Sequence, residues 1–330
     1  MSRWDEEAKY DRPRRRTRPR TKDRPSHADA TTALVTTVDR GRYTLLVSGA
    51  SGDRVVTAMK SRPLGRKGVV VGDTVRVVGD LSGDEGSLAR IVAVEDRRTV
   101  LRRTADDEDP VERVVVANAD QLVVVTALAD PPPRPRLVDR CIVAALDAGM
   151  DTLLCLTKSD LASPEQLLAW YRPLGVQAVA VRRGGDLDPL LARLRGRVNV
   201  LVGHSGVGKS TLVNALVPGA GRDIGVVNVV TGRGRHTSTS AIALRLPDGG
   251  WIVDTPGIRS FGLGHVQPAR LIHAFPDLAA ATADCPRGCE HTAADPECAL
   301  DTAVDAGVIQ PERVDSFRRL LESRDPSAGD

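Results

Sequence analysis

Val198-Asn-Val-Leu-Val202, Gly203-His-Ser-Gly-Val-Gly-Lys-Ser-Thr211 and Leu212-Val-Asn-Ala-Leu216 follow one another without a gap. An apolar strand, a glycine-rich turn and an apolar-periodic helix, in that order, are what a phosphate-binding loop requires. Gly203, Gly208, Lys209 and Ser210 fit G-x-x-x-x-G-K-[ST]. The glycines let backbone N–H groups converge on phosphate oxygens, and the helix opening near Lys209 points its positive dipole end at the anion. The cradle reads as Gly203, His204, Ser205, Gly206, Val207, Gly208, Lys209, Ser210 and Thr211, with Lys209 on the β- and γ-phosphates and the Ser210 hydroxyl on Mg²⁺. By itself this loop does not choose between ATP and GTP.

Outward from the loop, residues 110–265 alternate between apolar strands and amphipathic helices. Strands are expected at Gln121–Thr126, Asp151–Leu156 and Val176–Val181, and helices at Val138–Leu146 and Leu187–Leu194, which predicts a doubly wound α/β domain. Residues 31–105 carry short β-rich runs instead: Ala33–Val38, Arg42–Val47, Arg54–Met59, Val69–Val71, Thr74–Val78 and Ala89–Val94, separated by Gly- and Asp-containing turns. They predict an OB-type β-barrel. Residues 1–30 read as a disordered arm, and residues 266–330 as a helical domain that ends in a helix from Pro311.

Residues 12–24 hold eight Arg or Lys against one acid, whereas the whole 330-residue chain is only +3. The arm is therefore either a polyanion-binding tail or a solubilising one. No apolar run approaches a membrane span, no secretory signal is evident, and the cysteine count is odd, which points to a reducing cytoplasm and no membrane partner. Aromatic residues are only 3% of the chain, which argues against nucleic-acid binding on an aromatic stacking platform.

Three further motifs surround the P-loop. Thr157, Lys158, Ser159 and Asp160 follow an apolar strand and fit the guanine-reading pattern [N/T]-K-x-D, in which the aspartate accepts hydrogen bonds from N1–H and the exocyclic amine. Adenine lacks that donor pair. A strand-end turn with Asp160 as a helix cap is the plain alternative. Trp251-Ile-Val-Asp254-Thr-Pro-Gly257 gives D-x-x-G, with Asp254 supporting Mg²⁺ and the Gly257 N–H on the γ-phosphate. The polar segment Thr231–Thr239 between them has the character of a switch, with Thr237 or Ser238 as a second Mg²⁺ hydroxyl. Ile258 stands where many GTPases place a water-positioning glutamine, so slow intrinsic hydrolysis is expected. His236 is the in-chain candidate to position or deprotonate water, against the alternative of a solvated loop histidine. The base-reading element, at 157–160, precedes the P-loop, at 203–211. The expected domain is thus a circularly permuted G domain, whose sheet is unaltered because domain termini lie close together.

Cys285, Cys289, His291 and Cys298 supply three thiolates and an imidazole within fourteen residues, a closed tetrahedral set for one structural Zn²⁺.

The order TKSD, GHSGVGKST, GRGRHTST, DTPG, IRSFGL and the cysteine cluster, with a β-module in front, resembles the circularly permuted GTPases of small-ribosomal-subunit maturation, often called RsgA or YjeQ. The resemblance spans about residues 31–325. It implies an OB-fold, a permuted P-loop GTPase domain and a zinc-binding helical domain. It further implies GTP hydrolysis stimulated by the small (30S) subunit, rRNA contacts from both flanking domains, and release after hydrolysis. The protein is expected to be a cytoplasmic monomer that binds GTP and GDP. The chain departs from the family in having Thr157 where asparagine is usual, which is expected to weaken guanine affinity, and Val181-Arg-Arg-Gly184 where a small-residue base contact is usual. Its cysteine spacing is x3, x1, x6 where the family commonly has x4, x1, x5. A non-ribosomal P-loop NTPase and an RNA-binding assembly factor with a structural nucleotide are the rival readings.

Overall fold

The computed structural model describes residues 27–49, 52–64, 68–103, 113–218, 241–255, 263 and 266–323. Five strands come first: β1 (Thr31–Asp39), β2 (Arg42–Gly49), β3 (Gly52–Lys60), β4 (Thr74–Gly79) and β5 (Ala89–Val94). They run in the order β1-β2-β3-β5-β4, and β4 pairs back onto β1. Period-two alternation decides which way each side chain faces: Tyr43, Leu45 and Val47 point inward on β2, and Val75 and Val77 on β4. Closure removes the unpaired edges that a small open sheet would expose.

The run Val69–Val71, expected as a strand, is not one. It makes only an isolated bridge, Val71 to Val116. Beyond it, Gly72 takes φ +87° so tightly against Ala117 that an added Cβ would lie 2.0 Å from the Ala117 carbonyl oxygen. Its partner region is a hairpin that the sequence reading did not foresee, β6 (Val100–Arg103) with β7 (Arg113–Ala117), which bridges the barrel and the α/β region.

The second sheet comprises β8 (Gln121–Ala127), β9 (Asp151–Thr157), β10 (Gln177–Ala180), β11 (Val198–Val202), β12 (Ile242–Arg245) and β13 (Trp251–Asp254), in the order β10-β9-β8-β11-β13-β12. All neighbours are parallel except β12 with β13. Every residue of β8 is buried, as a parallel strand covered on both faces must be. Val123, Val125, Leu153, Cys155 and Leu201 face α3 (Asp188–Leu194) and α4 (Lys209–Leu216). Leu122, Val124, Leu154, Leu156, Val200 and Val202 face α1 (Pro135–Asp147) and α2 (Glu165–Tyr171).

That second core does not stop at residue 265. It continues through Leu271, Phe275, Leu278, Leu300, Val314, Phe317 and Leu320, so α5 (Pro268–Leu271), α6 (Pro276–Ala281), α7 (Ala299–Asp305) and α8 (Pro311–Glu322) pack into the same apolar cluster as α1. The Nε–H of Arg319 in α8 is shared between the two Asp139 carboxylate oxygens of α1 at 3.2 and 3.4 Å; the same guanidinium donates to the Trp170 carbonyl at 3.0 Å and lies 5.2 Å from the Tyr171 ring centroid. Asp139 is 1% exposed. Burial raises its pKa, while Arg319 and then the Tyr171 hydroxyl oppose the rise. On the opposite flank β12 pairs with β1 at Thr37 and Ile242, and Arg245 meets Asp53 at 2.5 Å, so barrel and α/β sheet form one continuous sheet. No helix among the described residues is long and apolar enough to cross a membrane.

Removing the guanidinium would leave a buried, uncompensated carboxylate. Arg319→Ala should therefore cost about 3–5 kcal/mol of unfolding free energy at neutral pH. Asp139 already titrates above the ordinary carboxylate range, so the penalty should shrink as pH falls and the carboxyl takes up a proton. Denaturant unfolding at several pH values checks both the size and the sign.

Candidate functional site

From β8 the chain crosses through α1 to β9 on one side; from β11 it proceeds to β12 and β13 on the other. The sequence direction therefore reverses between β8 and β11, the point at which open α/β sheets take ligands beyond the carboxyl ends of their strands. Three loops meet there: the one after β8, the one after β9, and the P-loop after β11.

Gly203 leaves β11 pressed against β8. A Cβ at this position would lie 2.5 Å from the Val125 carbonyl oxygen and 3.1 Å from Val207 Cγ2. Gly206 and Gly208 adopt φ +86° and +90°, which side chains strain to reach. Pro131, in the loop after β8, leans on Gly206, 3.4 Å from where its Cβ would sit. Val207 is fully buried and anchors the loop in the α3/α4 core. Lys209 is the first residue of α4; its ammonium is hydrogen-bonded to the Asp254 carboxylate at the end of β13. Ser210 and Thr211, in the first turn of α4, are exposed. Next to Asp254, the buried Thr255 hydroxyl donates to the Leu201 carbonyl at 2.8 Å and ties the end of β13 to β11.

The Thr157 hydroxyl, buried at the end of β9, donates to the Val207 carbonyl at 2.6 Å. A peptide plane sets its carbonyl and its N–H in opposite directions. Holding Val207 O toward β9 therefore turns the Gly208 N–H away from it. Lys158 sits in the left-handed region at φ +58°, with its ammonium on the Asp130 carbonyl. The Ser159 N–H donates to Val181 O at 3.2 Å, and Asp160 is exposed. The structure thus brings Thr157–Asp160, Gly203–Thr211 and Asp254 to one crevice. His236, Thr237 and Gly257 lie outside the described residues, as do Ser238 and Ile258.

Sequence reasoning missed the loop after β8 and Thr255. The proline run 131–133 after an apolar strand was a usable signal for the first; nothing local marks the second.

Away from the crevice, the ligand atoms of Cys285, Cys289, His291 and Cys298 lie within 4.8 Å of one another. His291 Nδ1 is 3.6, 3.4 and 3.9 Å from the Sγ atoms of Cys285, Cys289 and Cys298. Left-handed backbone at Gly288, His291 and Glu297 turns the chain around this point. Four soft donors converging on one point fit a tetrahedral Zn²⁺. Burial, the main cause, lowers the His291 pKa, which keeps the ring in the neutral form that ligates metal. Arg318 supports the loop from α8, donating to His291 O at 3.2 Å and forking onto Asp301 at 2.8 Å. Cys141 and Cys155 are core residues whose thiols burial pushes up to about 12.

A family model described as RsgA GTPase matches residues 94–264. A small ribosomal subunit biogenesis GTPase RsgA from Azotobacter vinelandii is 42% identical over 264 residues, covering 77% of this chain and 75% of that protein. The chain belongs to the RsgA GTPase family. The RsgA of Chlorobaculum parvum is 35% identical across 90% of this chain and 99% of its own length. Among solved structures, YjeQ from Thermotoga maritima superposes with TM-score 0.66 at 24% identity, over 89% of this chain and 98% of that one. YloQ, titled a circularly permuted GTPase, does so with TM-score 0.65 at 22% identity, over 93% and 100%. The RsgA fold, with its permuted GTPase order, is therefore the fold of this chain.

Thr157→Val keeps the side-chain shape but leaves the Val207 carbonyl without its buried donor. It should lower unfolding free energy by about 1–3 kcal/mol, and Thr157→Ser should restore most of that. Urea titration of the two variants distinguishes the hydrogen bond from simple packing.

Proposed function

We propose that this RsgA-family GTPase binds GTP in the β8/β9/β11 crevice and acts in late maturation of the small (30S) ribosomal subunit. The GTP form is the bound form, and subunit-stimulated hydrolysis releases it. The observation that carries this reading is the Thr157 hydroxyl on the Val207 carbonyl, which ties the base-reading motif to the P-loop although it lies upstream in the chain. A four-residue match with no such tie would have remained a strand-end turn.

In this reading Thr157, Lys158, Ser159 and Asp160 hold the guanine, and Gly203–Thr211 cradle the phosphates with Gly257. Ser210 and Asp254 support Mg²⁺, whose part is to neutralise charge developing on the β- and γ-oxygens. Lys209 releases Asp254 when it turns to the phosphates. His236 and Thr237 complete the catalytic side. The relatives' names identify small-subunit biogenesis factors. For this chain, the 31–105 barrel, the 1–30 arm and the 266–330 helical zinc domain are the parts we assign to subunit and rRNA contact. The protein works in the cytoplasm as a single chain, in keeping with cysteines that are free of disulfides among the described residues.

Purified protein should hydrolyse GTP slowly alone and at least about tenfold faster with small ribosomal subunits. Lys209→Ala should weaken GTP binding by about 10- to 100-fold, since it deletes charge-assisted hydrogen bonds. Unstimulated turnover would remove the timing role, and an ATP preference would remove the guanine reading. The zinc assignment predicts about one Zn²⁺ per chain by elemental analysis. Cys285→Ser should lose that metal and lower the thermal midpoint, while GDP affinity stays near the parent value.

A further inference from the structure

Of the cradle residues, His204 has the least ordinary surroundings. It follows the first glycine of the P-loop, yet its side chain is not offered to solvent: the residue is only 9% exposed. Nδ1 lies 2.9 Å from the carbonyl oxygen of Ser205. A carbonyl only accepts, so Nδ1 carries a hydrogen and donates it. Nε2 is buried and has no partner among the described residues. An unpaired buried ring nitrogen works against stability, and an apolar side chain of the same size would avoid it. The hydrogen bond that the ring does make among the described residues is the one from its other nitrogen.

We infer that His204 is a positioning residue for the phosphate cradle. By holding the Ser205 carbonyl against the buried ring, it turns the Gly206 N–H of the same peptide plane the opposite way, toward the anion. Gly206, at φ +86°, is free to accept that orientation. Thr157 plays the same part further along the loop, where its bond to Val207 O orients the Gly208 N–H. Two buried donors, one from β9 and one from the loop itself, therefore keep alternate carbonyls out of the cradle before nucleotide arrives. Such preorganisation costs nothing at the moment of binding.

The inference rests on the nucleotide-site reading, and the experiment separates the two. GDP and GTP affinities are measured by calorimetry, alongside thermal unfolding, for the parent chain, His204→Phe and His204→Gln. His204→Phe keeps the ring without donor or unpaired nitrogen, so its thermal midpoint should equal or exceed the parent's. Its GDP and GTP affinities should fall together about five- to tenfold. His204→Gln retains an N–H and should recover most of the affinity. Should the phenylalanine variant not fold, His204→Leu answers the same question. Unchanged GDP affinity in a folded donor-less variant overturns the positioning role while leaving the nucleotide site standing. Failure of the parent chain to bind either nucleotide overturns both.

Discussion

The phosphate loop passes so close to the end of β8 that only a glycine fits at position 203, 2.5 Å separating an imagined Cβ from the Val125 carbonyl oxygen. That approach sets everything around it. It brings the P-loop under the loop that follows β8, so that Pro131 meets Gly206. It also brings Val207 within reach of the Thr157 hydroxyl. A larger residue at 203 would push the loop away from β8 and β9 together. Thr157–Asp160 and Gly203–Thr211 are neighbours in space because two parallel strands are packed this closely.

The same contact explains how a permuted chain order supports the site. Strand β9, with its Thr-Lys-Ser-Asp terminus, precedes β11 in sequence but lies beside β8 in the sheet, and hydrogen bonding depends on that spatial order alone. The permutation changes what is attached to the outside. Strand β12 is bonded to β1 of the barrel. Helix α1, which begins in the loop leaning on Gly206, holds α8 through the buried Asp139–Arg319 pair. Both flanking parts are thus joined to the elements around the P-loop, the barrel through the sheet edge and the segment with the Cys/His cluster through a shared core.

Much of this was legible in the sequence where chemistry is local. The P-loop, the strand Trp251–Asp254 and the Cys/His cluster are short contiguous patterns, and their context on strands and turns follows from period-two and helical spacing. The barrel was legible from its turn residues, except for Val69–Val71, whose apolar run resembles a strand but is diverted by Gly72 toward β7. What escaped was long-range. Asp139 and Arg319 stand 180 residues apart, and nothing in either neighbourhood marks a pair. Thr157 appeared as a departure from the usual asparagine, and its hydroxyl's acceptor, a P-loop carbonyl, is invisible until the strands are placed. The left-handed Lys158 and the buried His204 ring belong to the same class, since tertiary packing decides them.

That Thr157–Asp160 and Gly203–Thr211 form a single guanine-nucleotide site is tested most directly by changing the base preference from the upstream motif alone. Asp160→Asn replaces an acceptor with an amide, which no longer pairs with the N1–H and amine of guanine but supplies a donor to the 2-carbonyl of xanthine. Calorimetric titration of the parent chain and this variant with GDP and XDP should show preference for GDP in the first and for XDP in the second, each by about tenfold or more. Equal GDP affinity in the two proteins, with no gain for XDP, would contradict it.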